Sequence, residues 1–192
     1  MRVQRADRRT RRHRLVLPAA LRRRPSVQRP ARPSDAGSRW AVELEDFARS
    51  EQQYEPNTAI LRTRLYDSKG QGIELTDFAP RFFNRGRTFR PLTLVRRSKV
   101  LEGSPRMRML VRPRFNWGRD RPLVTQGSTH IRYVGASQTL RLNSDAPLSY
   151  LLSETFFVVD RPMNFIMGPD ETLLSGIEDT ARGFDSGCAV AR

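Results

Sequence analysis

Cysteine is almost absent from this chain, since Cys188 is the single one among 192 residues. One thiol cannot form a disulfide within the chain, and it cannot supply the clustered cysteines of a structural zinc site. Long apolar runs are absent as well, because no stretch approaches the roughly 20 apolar residues of a membrane-spanning helix. These absences exclude a disulfide-stabilised scaffold, a cysteine-based zinc domain and a helical integral membrane protein.

Acidic residues are scarce at the start of the chain. Residues 1–34 hold twelve arginines, one aspartate, four prolines and no aromatic residue, so their net charge is +11. Residues 35–192 hold 23 basic and 19 acidic residues, which is only +4 of the total of +15. Because like charges repel and little apolar surface is present to offset the entropy of ordering, residues 1–34 are predicted to form a disordered basic arm.

Three interpretations of this arm remain open. An authentic arm would bind nucleic acid through arginine–phosphate contacts, with an affinity that depends strongly on salt. A targeting peptide is also rich in arginine and poor in acids. The apolar stretch 15–21 is too short for a secretory signal and is interrupted by Pro18, so a cytoplasmic protein is expected. The third interpretation is a nonfunctional extension produced by a wrong start or a shifted reading frame.

From Trp40 onward, short extended runs alternate with turn residues. In one run Met107, Met109 and Val111 alternate with arginines, and a period of two is typical of a strand with one buried face. A glycine-containing turn at 68–72 separates two runs and predicts a hairpin. Strands are predicted at 57–67, 73–79, 91–101, 106–115, 130–134, 139–143, 147–152, 155–160 and 165–167.

The segment 171–184 has apolar residues at helical spacing, from Leu173 to Phe184. Asp170 precedes it and is interpreted as the residue that caps this helix. Many short strands without alternating helices predict an all-β fold, an antiparallel β-sandwich. The predicted organisation is therefore a basic arm over 1–34, a sandwich over 35–170 and a short C-terminal helix within 171–192.

A search for catalytic groups finds no self-contained active site. Glu74 and Asp77 lie three apart on one predicted strand, so their carboxylates point to opposite faces. His13 and His130 have no second histidine or cysteine at ligand spacing, so neither a metal nor another cofactor is predicted. There is no G-x-S-x-G nucleophile motif, and no G-K-S/T follows the glycines of the predicted turn.

Two sets of side chains have more than one interpretation. The aromatic residues Tyr54, Phe115, Trp117 and Tyr133 either stack on sugars or bases, or pack in the core or against another domain. The arginines of the predicted strands either line a solvated face, where their stems cover apolar surface, or meet an acidic partner. These arginines are Arg62, Arg64, Arg96, Arg97, Arg106, Arg108, Arg112 and Arg114.

Several runs, taken in order, resemble one known family. They are RW at 39–40, YEPNTAILRTRLYDSKGQGIELTDFAPR at 54–81, RPLTLVRR at 90–97, VRPRFNWG at 111–118, HIRYVG at 130–135 and SETFFVVDRP at 153–162. Together they resemble the amino-terminal domain of bacterial glucoamylase- and trehalase-like proteins of glycoside hydrolase family 15. The likeness extends from Arg39 to Phe184.

The resemblance implies a β-sandwich that packs on a following (α/α)6 barrel. In such enzymes the barrel hydrolyses α-glucosidic bonds with inversion, using two glutamates that lie in the barrel. This chain would then be a non-catalytic domain, with the barrel as its partner and α-glucan or trehalose bound through that barrel. Residues Tyr54, Arg114, Phe115 and Trp117 are the candidates for contact with carbohydrate or with the barrel.

The family pattern is lost at both ends of the chain. The family has a segment like DGSIDWLCLPRFDSPSVFAALL before the RW run, whereas this chain has the arginine-rich arm. It also continues the last helix into a Thr-x-x-Tyr-Trp-x-x-Trp stretch, where this chain reads GFDSGCAVAR. We therefore expect a fragment with frame-shifted ends. The alternatives are a nucleic-acid-binding β-domain with a basic arm and a stand-alone carbohydrate-binding module.

Overall fold

A computed structural model of the chain describes residues 38–84, 87–173 and 176–190. The predicted basic arm, 1–34, lies outside these residues. The described part forms thirteen strands and two helices. The strands are β1 (Arg39–Leu44), β2 (Phe47–Tyr54), β3 (Leu61–Asp67), β4 (Gly72–Phe78), β5 (Phe82–Asn84), β6 (Arg87–Phe89), β7 (Leu94–Glu102), β8 (Arg106–Arg112), β9 (Leu123–Gln126), β10 (His130–Val134), β11 (Thr139–Ser144), β12 (Phe157–Val158) and β13 (Met163–Pro169), and the helices are α1 (Leu148–Ser153) and α2 (Ile177–Val190).

Two antiparallel sheets and a small hairpin contain these strands. The large sheet has the order β2-β3-β4-β7-β13-β11-β10-β9, and the small sheet has the order β1-β8-β12. The hairpin pairs β5 with β6. One apolar core lies between the two sheets and includes Met107 and Met109 from the small sheet and Ile73 and Phe165 from the large one. The predicted all-β antiparallel sandwich is therefore confirmed.

The alternation predicted for β8 determines which face enters the core. Met107, Met109 and Val111 are buried between the sheets, while Arg106 and Arg112 are exposed on the other side of the strand. Adjacent side chains of a strand point to opposite faces, so this single strand positions the small sheet over the large one.

The predicted hairpin turn is present between β3 and β4. The Asp67 carboxylate accepts hydrogen bonds from the backbone N–H groups of Lys69 and Gln71, both at 2.8 Å. Gly70 adopts a φ of 82°, which a residue without a Cβ atom reaches at little cost. This turn joins two central strands of the large sheet and fixes their register.

Helix α2 covers part of the outer face of the large sheet. Ala181 is buried there against Phe78, Val95 and Ile166, in a second and smaller apolar cluster. The helix begins at Ile177, so the predicted start at Glu171 was wrong. Within the described residues, no helix is long and apolar enough to cross a membrane.

The interpretation of Asp170 as a helix cap was also wrong, because six residues separate it from the start of α2. Its carboxylate instead forms an ion pair with Arg132 and lies 3.7 Å from the guanidinium of Arg141. Asp170 therefore ties the chain after β13 to the neighbouring strands β10 and β11.

The segment 147–152 was predicted to be a strand, and this prediction was wrong. The structure forms the short helix α1 here, with Leu148 and Leu151 buried in the core. Their spacing of three places both side chains on one face of a helix, and Pro147 stands just before it, where the lack of an N–H costs nothing. The strand predicted at 155–160 is reduced to the two residues of β12.

Candidate functional site

The candidate site is a closed loop between β8 and β9. Two backbone hydrogen bonds join Phe115 and Asp120 at its base, with N···O distances of 3.0 and 3.2 Å. Trp117 lies at the tip, and its side chain is 99% exposed. We refer to residues 115–120 as the Trp117 loop.

The backbone of this loop is strained. Asn116, Trp117 and Gly118 are three consecutive residues with positive φ, at 47°, 58° and 89°. Glycine and asparagine visit this left-handed region readily, but other residues with a Cβ atom pay about 1–2 kcal/mol there, so Trp117 is held against its preference. Strain of this kind persists only where the surrounding structure imposes it, and it concentrates at functional sites.

The side chain of Phe115 holds the base of the loop in the core. Its side chain is only 6% exposed and belongs to the main core. A Cβ atom on Gly135 would lie 2.4 Å from the Phe115 ring, so the ring packs directly on the glycine backbone. The structure thus places Phe115 inside the protein and Trp117, two residues later, entirely outside it.

The Trp117 loop lies beside one edge of the large sheet. Phe115 packs on Gly135, which directly follows β10, and Val134 of β10 pairs with Leu123 of β9. Leu123 and Val124 are both exposed large apolar residues. Leu123 and Val124 were not selected from the sequence, because a strand of four exposed residues has no alternation of apolar and polar side chains. Trp117, Leu123 and Val124 are thus separate exposed apolar side chains in the segment that leads into this edge.

Arg114 and Tyr54 occupy different positions. The N–H of Arg114 donates a 2.9 Å hydrogen bond to Ser38 Oγ, which fixes the chain just before the loop to the start of β1. Tyr54 is exposed at the end of β2, the opposite edge strand of the large sheet. Six strands lie between β2 and β9, which corresponds to about 34 Å measured along the sheet. The structure therefore brings Arg114, Phe115 and Trp117 together, and it does not bring Tyr54 to them.

Most of the strand arginines form ion pairs inside the chain. The largest group surrounds Glu74, which is 2% exposed on the outer face of the large sheet. Its carboxylate lies 2.8 Å from Arg62, 3.0 Å from Arg64 and 3.0 Å from Lys99. Arg62 also donates to Glu55 at 2.6 Å. The cations thus neutralise a buried carboxylate.

The cations around Glu74 keep its carboxylate ionised. Burial raises the pKa of Glu74, but hydrogen bonds from Lys99, Arg64 and Arg62 outweigh that effect and lower the pKa to about 2. Glu74 is consequently a permanent anion near neutral pH, unsuited to donating a proton. Asp77 lies on the other face of β4, between the sheets, as the spacing predicted, and is paired with Arg96.

Arginines of the small sheet are also paired with carboxylates of this chain. Each pairs with a glutamate from a neighbouring segment, and these pairs lie at least partly in solvent. The pairs are Arg106–Glu45, Arg108–Glu43 and Arg112–Glu154. These arginines lie on a partly solvated face, as one of the two interpretations has it, and each already has an acidic partner within the chain.

Among the residues that the structure describes, the remaining titratable groups form no catalytic arrangement. The Nδ1 atom of His130 accepts a 3.1 Å hydrogen bond from Arg141. Burial together with Arg141 and Arg132 lowers the pKa of the imidazole. Tyr133 is buried in the core, and burial raises the pKa of its hydroxyl. Across the described ranges, no group of three histidine, cysteine, aspartate or glutamate side chains is placed to hold a metal ion.

Comparison of the chain with protein families, with curated proteins and with solved structures gives no match. Geometry and chemistry, together with the motifs of the sequence, are therefore the basis for any functional conclusion. They describe a β-sandwich whose charged strand residues are largely paired within the chain, with one strained loop that holds a tryptophan in solvent.

Proposed function

We propose that this chain is a non-catalytic domain that binds a partner protein through the Trp117 loop, and that the partner is the catalytic (α/α)6 barrel of a glucoamylase- or trehalase-like glycoside hydrolase. The observation that carries the proposal is the full exposure of Trp117 in a strained, closed loop. Tryptophan is among the residues most enriched at the energetic centres of protein interfaces. A loop that costs stability and exposes a large apolar side chain is best explained by a contact.

The identity of the partner rests on the sequence resemblance. The run RPRFNWG, which is one of the clearest elements of that resemblance, ends in the Trp117 loop. In the resembling enzymes the sandwich packs against the barrel. We therefore assign Trp117 to the surface that meets the barrel.

The charge chemistry of the described residues favours a supporting role over a catalytic one. Inverting glycoside hydrolysis requires an acid and a base about 6.5–9.5 Å apart, one of them with a raised pKa. Glu74 has a lowered pKa and three cationic partners, and Asp77 is paired with Arg96 on the opposite face of the strand. The hydrolytic chemistry of the proposed enzyme then belongs to the barrel.

Nucleic-acid binding is less well supported by the described residues. Such a surface presents cations to phosphates, whereas the cations Arg62, Arg64 and Lys99 surround Glu74. The predicted basic arm lies outside the described residues and stays a prediction. Salt-dependent binding of duplex DNA by the full chain, lost on deletion of residues 1–34, would favour that alternative.

Two experiments test the proposal. The purified chain is assayed on p-nitrophenyl-α-glucoside, maltose and trehalose, and no turnover above a buffer control is expected. Clear hydrolysis that follows the protein through purification would contradict a non-catalytic role. The coding sequence that adjoins the codon for Arg192 is then read in every frame, and it is expected to encode an (α/α)6 barrel.

A further inference from the structure

A second candidate site lies on the small sheet, beyond its edge strand β12. A cleft of about 500 Å³ opens there between α1, β12 and the segment that follows β12. Its lining includes Tyr150, Phe156, Val158, Asp160 and Arg161. This volume falls within the range of small-ligand sites, and the mixture of aromatic and charged side chains is typical of a site that orients its ligand.

An aromatic platform forms one wall of the cleft. The rings of Tyr150 and Phe157 are stacked, with centroids 5.6 Å apart and an angle of 20° between their planes. Phe157 is buried, whereas Tyr150 is 43% exposed. Because Phe157 covers one face of the tyrosine ring, the other face is left for solvent or a ligand.

The cleft also contains polar groups with unused hydrogen-bonding capacity. Within the described part of the chain, the Asp160 carboxylate has no hydrogen bond or ion pair, unlike Asp145, which accepts two hydrogen bonds from Asn164. Arg161 donates one hydrogen bond, from Nη2 to the carbonyl oxygen of Asp145 at 2.7 Å. Its other N–H groups remain as donors in the cleft.

The charges of the cleft select the class of ligand. A cationic ligand would suit Asp160 but would be repelled by Arg161, and an anion would suit Arg161 but would be repelled by Asp160. Arg106 also lines the cleft, but its charge is already paired with Glu45. A neutral ligand with many hydroxyl groups avoids both conflicts, because a hydroxyl donates to the carboxylate and accepts from the guanidinium. Its C–H face can lie on the exposed ring of Tyr150.

We propose that this cleft binds a neutral sugar ring, with Tyr150 as the stacking platform and Asp160 and Arg161 as the hydrogen-bonding groups. The inference goes beyond the proposed function and does not depend on it, since it uses neither the Trp117 loop nor a barrel. The sugar is bound without being cleaved, because Asp160 is the one carboxylate among the residues that line the cleft.

The test is an NMR titration of the full chain with maltotriose, trehalose and cellobiose. At least one sugar is expected to bind with a Kd of about 1 mM, which is typical of a single small contact area. Tyr150→Ala and Asp160→Asn should each weaken binding at least tenfold, while Glu178→Gln, at an exposed position on α2, should leave it unchanged. Asp160 is exposed and has no internal partner, so its amide variant keeps the fold.

Three results would overturn the proposal. These are no binding of any of the three sugars up to 50-fold above the expected Kd of about 1 mM, equal binding by Asp160→Asn and wild type, and loss of binding in Glu178→Gln. Denaturant unfolding of Tyr150→Ala distinguishes loss of the platform from loss of the fold. None of these results bears on the hydrolysis assay or on binding of the barrel. Sugar binding by the cleft and barrel binding by the Trp117 loop can therefore be refuted independently.

Discussion

The guanidinium of Arg96 donates two hydrogen bonds, of 2.6 and 2.9 Å, to the carboxylate of Asp77 in the space between the two sheets. The same guanidinium donates a hydrogen bond to the carbonyl oxygen of Trp40 at 3.2 Å, and it lies 4.7 Å from the centre of the Trp40 ring. One side chain of the large sheet thereby holds the edge strand of the small sheet.

This relationship predicts the effect of breaking the pair. Arg96→Met leaves the Asp77 carboxylate unpaired in a mostly buried position, and we expect it to lower the free energy of unfolding by about 3 kcal/mol. Arg106→Met is the matched control, because the Arg106–Glu45 pair lies in solvent and should contribute less than about 1 kcal/mol. Urea unfolding measures both, and equal effects of the two substitutions would contradict the assigned role of Arg96.

The Glu74 cluster predicts how stability changes with acid. Its pKa in the folded state is about 2, below the value of roughly 4.3 expected in the unfolded chain. The resulting stabilisation is fully present above pH 4.3 and is lost as the pH falls through about 2. A shift of this size corresponds to at most about 3 kcal/mol.

The variant Glu74→Gln tests that expectation. We expect it to be less stable than wild type at pH 6 and to approach wild-type stability near pH 2.5, as measured by thermal unfolding monitored by circular dichroism. Glu178→Gln is the control, since Glu178 is exposed on α2 and pairs with Arg182 in solvent. A stability difference for Glu74→Gln that does not change with pH would contradict the ion-pair explanation.

The Trp117 loop predicts an unusual pattern of stabilities. Because Trp117 has a φ of 58° and is fully exposed, Trp117→Gly should be more stable than Trp117→Ala by about 1 kcal/mol, since only glycine relieves the strain. Phe115→Ala, which empties a core position at the base of the loop, should cost about 3 kcal/mol or more.

These three variants are compared by guanidinium unfolding. If Trp117→Ala were as destabilising as Phe115→Ala, the tryptophan would be part of the folded core rather than a contact residue. If glycine and alanine gave the same stability at position 117, the left-handed conformation would be absent from the protein in solution.

The sandwich was predictable where side chains alternate. Runs such as Met107–Val111 place every second residue in the core, and that pattern alone predicted the strand and its buried face. The segment after Pro147 was predicted wrongly, because its leucines suit a short strand as well as one turn of helix. Tertiary burial of Leu148 and Leu151 decides between the two.

The candidate site was only partly visible in the sequence. Trp117 and its neighbours were chosen as aromatic residues, yet the sequence does not show that Phe115 is inside the core and Trp117 outside it. The difference arises from three successive left-handed residues, a conformation that asparagine and glycine permit but do not require. The distance of Tyr54 from this loop depends on strand order, which the order of residues along the chain does not give.

The most direct test of the central claim is calorimetric titration of the full chain into an isolated (α/α)6 catalytic domain of a family 15 glucoamylase that lacks its own sandwich. We predict a 1:1 complex that Trp117→Ala weakens at least tenfold, about 1.4 kcal/mol, and that Tyr54→Ala, on the opposite edge of the large sheet, leaves unchanged. A wild-type chain that does not bind, or a Trp117→Ala variant that binds as tightly as wild type, would contradict the account.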